Sequence, residues 1–269
     1  MSARATILDL SAFTIGGTSQ LATIRDVAYS VTPEHVEGKP IVRMGGSAQP
    51  VKRSATVSTP LMTVVSDPTK VTNLNISAFS IGGVDTLANL IGGSFSGSFS
   101  LAEGKGVADE WAYPHVVGKD YAATIRIGVP ATIAMGIPTA VHAATTASLP
   151  MVFTITISSV AVTLPMLIAN YRHLFTENDI QVLEVELVGR SPDTGTYPTA
   201  PTGTTTLLEK ALNAPGTALA FVLTSKAAGG VSYTGNFVYS SFSFDFNQSS
   251  IIATQYEFAS VGAIAAAST

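Results

Sequence analysis

The chain has 269 residues, material for one large or two ordinary domains, with 46% hydrophobic and only 12% charged residues and a net charge of −4. The charged share is about half of the roughly 25% usual in soluble domains, and Ser, Thr, Gly and Ala fill the gap, so the surface is suited to being covered by neighbours. The acidic balance excludes a basic footprint for nucleic acid, the lack of cysteine excludes a disulfide framework or thiolate chemistry, and no apolar run nears the ~18 residues of a membrane helix.

In chain order, Met1 to Thr6 leads straight into a strand pattern and reads without a signal peptide, so synthesis and assembly in a cytosol are expected. Strands are expected near 5–15 and 73–81, each ended by a glycine pair, Gly16-Gly17 and Gly82-Gly83, that suits a turn with positive φ. After the second pair, Leu87, Leu90 and Ile91 have helical spacing with Asp85 as a candidate cap, and a strand is equally tenable. More strands are expected near 41–44, 54–65, 95–101 and 121–135, with Pro130 and Pro138 putting the last at an edge or breaking it. Residues 30–40 and 102–120 hold much of the charge and the single Trp, Trp111, and read as long loops for contacts between subunits. The stretch 139–149 is small and polar and reads as a connector.

Phe153, Ile155 and Ile157 alternate with Thr154 and Thr156; after Ser158-Ser159 the apolar set becomes Val160, Val162 and Leu164. Phe237 and Tyr239 likewise precede Ser240-Ser241, after which Phe242, Phe244 and Phe246 alternate with Ser243 and Asp245. A side-chain period of two changes phase only with an extra residue, so a β-bulge or bend is expected at both Ser-Ser pairs. Returning strands run through Leu183, Val185 and Leu187, and through Tyr256 and Phe258. Between them lie a Pro/Thr/Gly-rich loop from Ser191 to Thr205 and one helix. There Thr206-Leu207-Leu208-Glu209 fits a capping box, Leu207, Leu208, Ala211 and Leu212 form the apolar stripe, and Pro215-Gly216 ends it.

These segments repeat in the order A, A′, B, B′, as expected where one unit fills quasi-equivalent places in a symmetric assembly. Leu8–Gly17 matches Leu74–Gly83; His35-Val36-Glu37-Gly38-Lys39 matches His115-Val116-Val117-Gly118-Lys119; Ser158–Leu164 matches Ser240–Phe246; and Glu184-Val185 closing on Val188-Gly189 matches Glu257-Phe258 closing on Val261-Gly262. Gly17 to His35 spans 18 positions and Gly83 to His115 spans 32, so the second A copy reads as longer by 14. The expected division is a duplicated N-terminal half, 1–150, with copies of about 1–70 and 71–150, and a duplicated C-terminal half, 151–269, with copies of about 151–190 and 206–269. Tandem fusion gives A–B–A′–B′, so either each sandwich draws strands from both halves, or the repeats are hairpins in one larger sandwich.

Chemistry is hard to find. His35, His115, His142 and His173 form no metal-ligand spacing, and His35 and His115 read as turn or interface residues. His173, beside Glu177 and Asp179, reads as an interface edge. Nucleophile elbow, phosphate-loop and dinucleotide motifs are missing, and Gly104-Lys105-Gly106 lacks the strand–helix context of a phosphate cradle. Asp109-Glu110 beside Trp111 is only a dipeptide, whose side chains point to opposite strand faces. The aromatic run 237–246 has no interleaved Arg or Lys for nucleic-acid stacking and reads as core or subunit contact. No catalytic, cofactor-binding or metal residue is assigned, no cofactor is expected, and the chain is not read as an enzyme.

The Ala12-Phe13-Thr14-Ile15-Gly16-Gly17 strand end, a long charged loop, one helix in a β chain and a closing strand ending near Val261-Gly262 resemble the tail-tube (major tail) proteins of long-tailed bacteriophages. The resemblance covers most of the chain as an order of elements. It implies a mainly β, internally duplicated sandwich or barrel with one or two short helices, which oligomerises into rings whose inner strands line one channel. Rings would stack into a virion tail tube that contacts other tail proteins and passes DNA without specific binding. Duplication suggests a homotrimer with pseudo-sixfold symmetry in place of a hexamer. Alternatives are another virion component, such as a capsid decoration or head–tail connector protein, or a carbohydrate-binding β-sandwich using Trp111 and Tyr113.

Overall fold

The computed structural model describes residues 10–21, 27–38, 47–62, 76–104, 111–129, 136–157, 160–175, 181–190, 207–225, 230–247 and 253–268. Copy A supplies β1 (Leu10–Ile15), β2 (Thr18–Ser19), β3 (Ala28–Gly38) and β4 (Ser47–Met62). Copy A′ supplies β5 (Ile76–Ile81), β6 (Val84–Asp85), β7 (Leu90–Gly104) and β8 (Tyr113–Val129). Helix α1 (Gly136–Ala147) precedes copy B: β9 (Met151–Ile157), β10 (Val160–Leu174) and β11 (Gln181–Arg190). Helix α2 (Leu207–Asn213) precedes copy B′: β12 (Leu219–Ser225), β13 (Val231–Asn247), β14 (Ala253–Ser260) and the short β15 (Ala265–Ser268). The fold is mainly β and its strand pairing is antiparallel, as the alternating patterns require.

Register shows how the copies combine. β1 lies on β12 with Phe13 opposite Leu223 and Ile15 opposite Phe221; β5 lies on β9 with Phe79 opposite Ile155 and Ile81 opposite Phe153. β4 pairs with β14 and β8 with β11. A therefore combines with B′, and A′ with B, so the A′–B unit sits inside the chain of the A–B′ unit. The repeats interlock, each unit drawing strands from both halves.

The A copies run at a constant spacing of 66, as Ile15/Ile81, Gly38/Gly104 and Met62/Gly128 illustrate, and even their irregularities coincide. The shift at Leu10/Ala12 recurs at Ile76/Ala78, and that at Glu34/His35 recurs at Ser100/Leu101. The second copy is thus no longer than the first. His35, in β3, corresponds to Leu101; His115 is in β8, opposite Ala102, so their matching pentapeptides are a coincidence of sequence. The presumed loops 30–40 and 102–120 are largely arms of the β3–β4 and β7–β8 hairpins.

In the B copies, bulges fall at Ala169, between Ile168 and Asn170, and at Ser240, between Tyr239 and Ser241, 71 positions apart. The expected bulge at Ser240 is present. Ser158-Ser159 lies outside the described residues, but Ile157 pairs with Val160 across a chain reversal, so that phase flip belongs to a hairpin and Ser240 has Ala169 as its counterpart. The same spacing equates Glu186, not Glu184, with Glu257.

Both glycine pairs adopt positive φ, +58° and +78° at Gly16-Gly17 and +59° and +77° at Gly82-Gly83, the hairpin turn that glycine makes without a Cβ clash. The helical spacing after Asp85 yields one 3-10 turn, Leu87–Asn89, whose first amide donates to Asp85 Oδ1 at 3.0 Å, and then β7. Residues 136–147, expected as a connector from 139, form α1 with Ile137 and Val141 buried and with Pro138 in its first turn. β8 ends at Val129, before Pro130, yet is a central strand. The capping-box helix is present as α2 with its four apolar residues buried; Thr206 lies outside the described residues, as do 41–44 and Ser191–Thr205.

One run of eight strands crosses the chain in the order β3-β4-β14-β13-β7-β8-β11-β10. The N-terminal halves of β10 and β13 leave this run at their bulges and carry β9, β5 and β6, or β12, β1 and β2, as outer layers. Between the layers lies an aromatic core including Phe13, Phe95, Phe153, Phe242 and Phe258. The run 237–246 belongs to this core, with Phe237, Tyr239, Phe242, Phe244 and Phe246 all buried.

Candidate functional site

The eight-stranded run has two unlike faces, because alternate residues point to opposite sides. One face is the core. On the other, register aligns Ser58, Glu257, Ser241, Ser98 and Asp120 in one row across neighbouring strands, with Gln255, Ser243, Ser96 and Ala122 beside them. These side chains are exposed or half-buried. The Ser94-Phe95-Ser96-Gly97-Ser98-Phe99-Ser100 segment prints the division directly, serines outward and phenylalanines buried or glycine beneath a ring.

Among residues whose side chains are described, the charges on this face are Asp120, Glu184, Glu186, Asp245 and Glu257 against Arg126 and Arg172; register also places Arg190 opposite Asp120 and Lys52 opposite Glu34 on it. Three of them form a row across β8, β11 and β10. Arg126 Nε lies 2.9 Å from Glu184 Oε1, and Arg172 donates from Nη2 and Nε to Glu184 Oε2 at 2.6 and 3.0 Å. The Arg172 hydrogen bond, aided by the charges of both guanidiniums, holds the Glu184 carboxyl below its ordinary range. The row sits in a hollow of about 290 Å³ lined also by Thr124, Asn170, Tyr171 and Glu186. The corresponding positions in the other unit are Pro60, Gln255 and Ser243, so the row occurs in one unit only. Nothing in the linear sequence announces it, because its members come from three strands brought together by register.

The two units meet where β13 pairs with β7, from Ser241 opposite Ser98 to Asn247 opposite Gly92. Phe242 lies over Gly97 and Phe246 over Gly93; a Cβ added to Gly97 would collide with Phe242 Cε1. The Phe242 ring has Phe95, Phe99, Tyr121 and Phe244 around it at centroid distances of 5.5–6.4 Å. The joint is thus continuous in both backbone pairing and core.

The residues singled out by sequence are scattered. His142 Nδ1, on α1, is 2.7 Å from the Tyr171 hydroxyl; His115 is exposed on β8; His173 is the penultimate residue of β10, with its ring 4.1 Å from that of Phe175. Trp111 is half-buried against the core and bridges to Arg53, while Tyr113 packs over Gly262. Asp109, Glu110, Lys105, Gly106, Glu177 and Asp179 lie outside the described residues. Among the described residues no three His, Asp or Glu side chains gather as a metal site, and no helix is long and apolar enough to cross a membrane. No protein-family model matches the chain, and no curated protein matches it in sequence.

Proposed function

We propose that this chain is a structural virion protein that assembles with its own copies into closed rings, which stack as the tube of a bacteriophage tail and pass DNA without binding it. The observation that carries this reading is the β13–β7 joint: two equivalent units already share one continuous sheet, and that sheet still ends at unpaired strands among the described residues. A unit that joins its like edge to edge, and then stops with an open edge, is part of a larger closed set, since open strand edges otherwise invite uncontrolled pairing.

Ring size follows from strand spacing. At about 4.8 Å per strand and tilts of up to ~40°, three copies of eight strands give a backbone diameter of about 37–48 Å, and two copies about 24–32 Å. With about 5 Å of inward side chain subtracted on each side, three copies leave about 27–38 Å and two about 14–22 Å, so three clear a DNA duplex roughly 20 Å across at any of these tilts, which favours a homotrimer with pseudo-sixfold symmetry. Among the described residues the hydroxyl-rich face carries six acids to four cations by register and suits the lumen, because its net charge does not draw the phosphates of DNA. Synthesis in a host cytoplasm, residence in the virion tail, and contacts with other tail proteins belong to the same reading, with no cofactor and no enzymatic step.

Light scattering with electron microscopy of the purified protein tests it. Rings or tubes with a ring mass of three chains are expected. A protein that stays monomeric at high concentration across salt conditions overturns the reading, and isolated shells or plugs without a bore favour another virion component.

A further inference from the structure

The joint within the chain has a counterpart that the chain alone leaves unmade. Shifting β13 by 71 positions and β7 by 66 maps their pairing onto β10 from Asn170 onward and β3 up to Thr32. These segments are far ends of the same eight-strand run. Beyond Met166, β10 has β11 on one side and no strand on the other; β3 has β4 alone, among the described residues.

Three side-chain observations mark the same places. Phe175 is 69% exposed, whereas its counterpart Phe246, covered by the joint, is 4% exposed. Val31 is 42% exposed, and its counterpart Gly97 lies buried under Phe242. His173 Nε2 is buried with no hydrogen-bond partner, an arrangement that folded chains rarely tolerate. Large apolar side chains in water and an orphaned polar atom, gathered at two unpaired edges that symmetry relates, fit a surface waiting for its complement.

We propose that β10 of one copy adds to β3 of a second copy as an antiparallel strand, in the register Asn170 to Thr32, Tyr171 to Val31, Arg172 to Ser30, His173 to Tyr29 and Leu174 to Ala28. The inference rests on the ring reading above and names its contact. Phe175 and Val31 become covered, and His173 comes opposite Tyr29, a residue with a hydroxyl to offer. Tyr171 takes the place of Phe242 but is tethered to His142 on α1, and Val31 replaces the glycine that Phe242 overlies, so bulk moves from one strand to the other. The Arg126–Glu184–Arg172 row then ends beside the new seam, next to Ser30 of the second copy.

The absence of cysteine makes the register directly readable. Ser30→Cys and Arg172→Cys chains, mixed and oxidised after assembly, should give disulfide-linked dimers. Ala28→Cys mixed with Asn170→Cys, four positions out of register, should give at least tenfold less. Phe175→Ser, at a site exposed in the lone chain, should keep the monomer's circular dichroism and melting temperature while raising the concentration needed for assembly roughly tenfold to a hundredfold. Rings that form without the Ser30–Arg172 link, or with the control pair linked as well, overturn this register and leave the ring reading standing. A chain that never assembles overturns the ring reading, and this seam with it.

Discussion

The β13–β7 joint makes a quantitative claim that a double-mutant cycle can test. Gly97 is a strand residue, where Ala should gain about 0.5–1 kcal/mol over Gly through backbone entropy. Here the new methyl would collide with Phe242 Cε1 and stand 2.8 Å from Cζ, inside a ring cluster with no room to yield. Overpacking of that kind costs about 1–3 kcal/mol, so Gly97→Ala should destabilise by about 1 kcal/mol net. Phe242→Ala empties a site that is 2% exposed and should cost about 3–5 kcal/mol. In that background the methyl added at position 97 enters vacated space, so Gly97→Ala should turn favourable by about 1 kcal/mol. The expected coupling is about 2 kcal/mol, read from urea unfolding of the four proteins at concentrations below assembly and with unchanged m-values. Additivity within about 0.5 kcal/mol would mean that Phe242 does not lie over Gly97 and that the seam described between the units is wrong.

Other outcomes follow from single features. Burial pushes the Tyr239 and Tyr256 phenols far above their ordinary value, Tyr239 donating to the Leu207 carbonyl at 2.9 Å, so folding keeps both neutral. Their contribution is complete below pH ~10 and is lost as pH rises further, at about 1.4 kcal/mol per unit per tyrosine; unfolding midpoints from pH 8 to 11 check this, and Tyr239→Phe should remove one tyrosine's share of the slope. Glu184 has the opposite sign: its lowered carboxyl favours the fold above the ordinary glutamate value and loses that effect as pH falls through the folded one, measurable by carboxyl NMR titration. Gly17→Ala and Gly83→Ala, at φ +78° and +77° with open space around the added methyl, should each cost about 1–2 kcal/mol and match each other, since they are one turn built twice. Charge reversal of Asp245 and Glu257 to Lys should leave assembled particles retaining DNA in a salt-sensitive way, visible by co-sedimentation, while the parent particles release it.

What could be read from the sequence was local. A glycine pair specifies its turn because both residues need positive φ, and the Ser/Phe alternation of 94–100 needs no partner to be recognised. Phase flips were legible as events but not as causes. A period-two pattern shifts when a strand gains a residue, as at Ser240, and also when the chain reverses, as between Ile157 and Val160. Identity of short strings misled for a similar reason: His-Val-x-Gly-Lys occurs twice by chance, whereas the true repeat is carried by spacing and paired bulges that few identical residues mark. Helix α1 escaped because only Ile137 and Val141 are buried, and its threonines, which favour strands, satisfy their hydroxyls on the helix itself, Thr145 on the Val141 carbonyl and Thr146 on that of His142. The charged row at Glu184 was unreadable, since its members lie 12 and 58 positions from it and only register unites them.

The nested order of the copies has an energetic consequence for the proposed ring. Every joint between separate molecules costs about 4–15 kcal/mol in lost translational and rotational freedom before any contact is counted. With A′–B inserted inside A–B′, half of the joints in a ring of equivalent units are already made within a chain, so that cost falls on three joints in place of six. Duplication also frees the two kinds of joint to diverge. The internal one is never exposed to solvent once the chain folds, and it carries Phe242, Phe244 and Phe246 against glycines and Phe95. The outer one must face water in every unassembled copy, and its counterparts are Tyr171, His173 and Phe175, more polar at two positions of three. An edge that has to stay soluble before it pairs is expected to be the weaker of the two. On this reading rings should come apart into whole chains along β10 and β3 well before the β13–β7 seam opens.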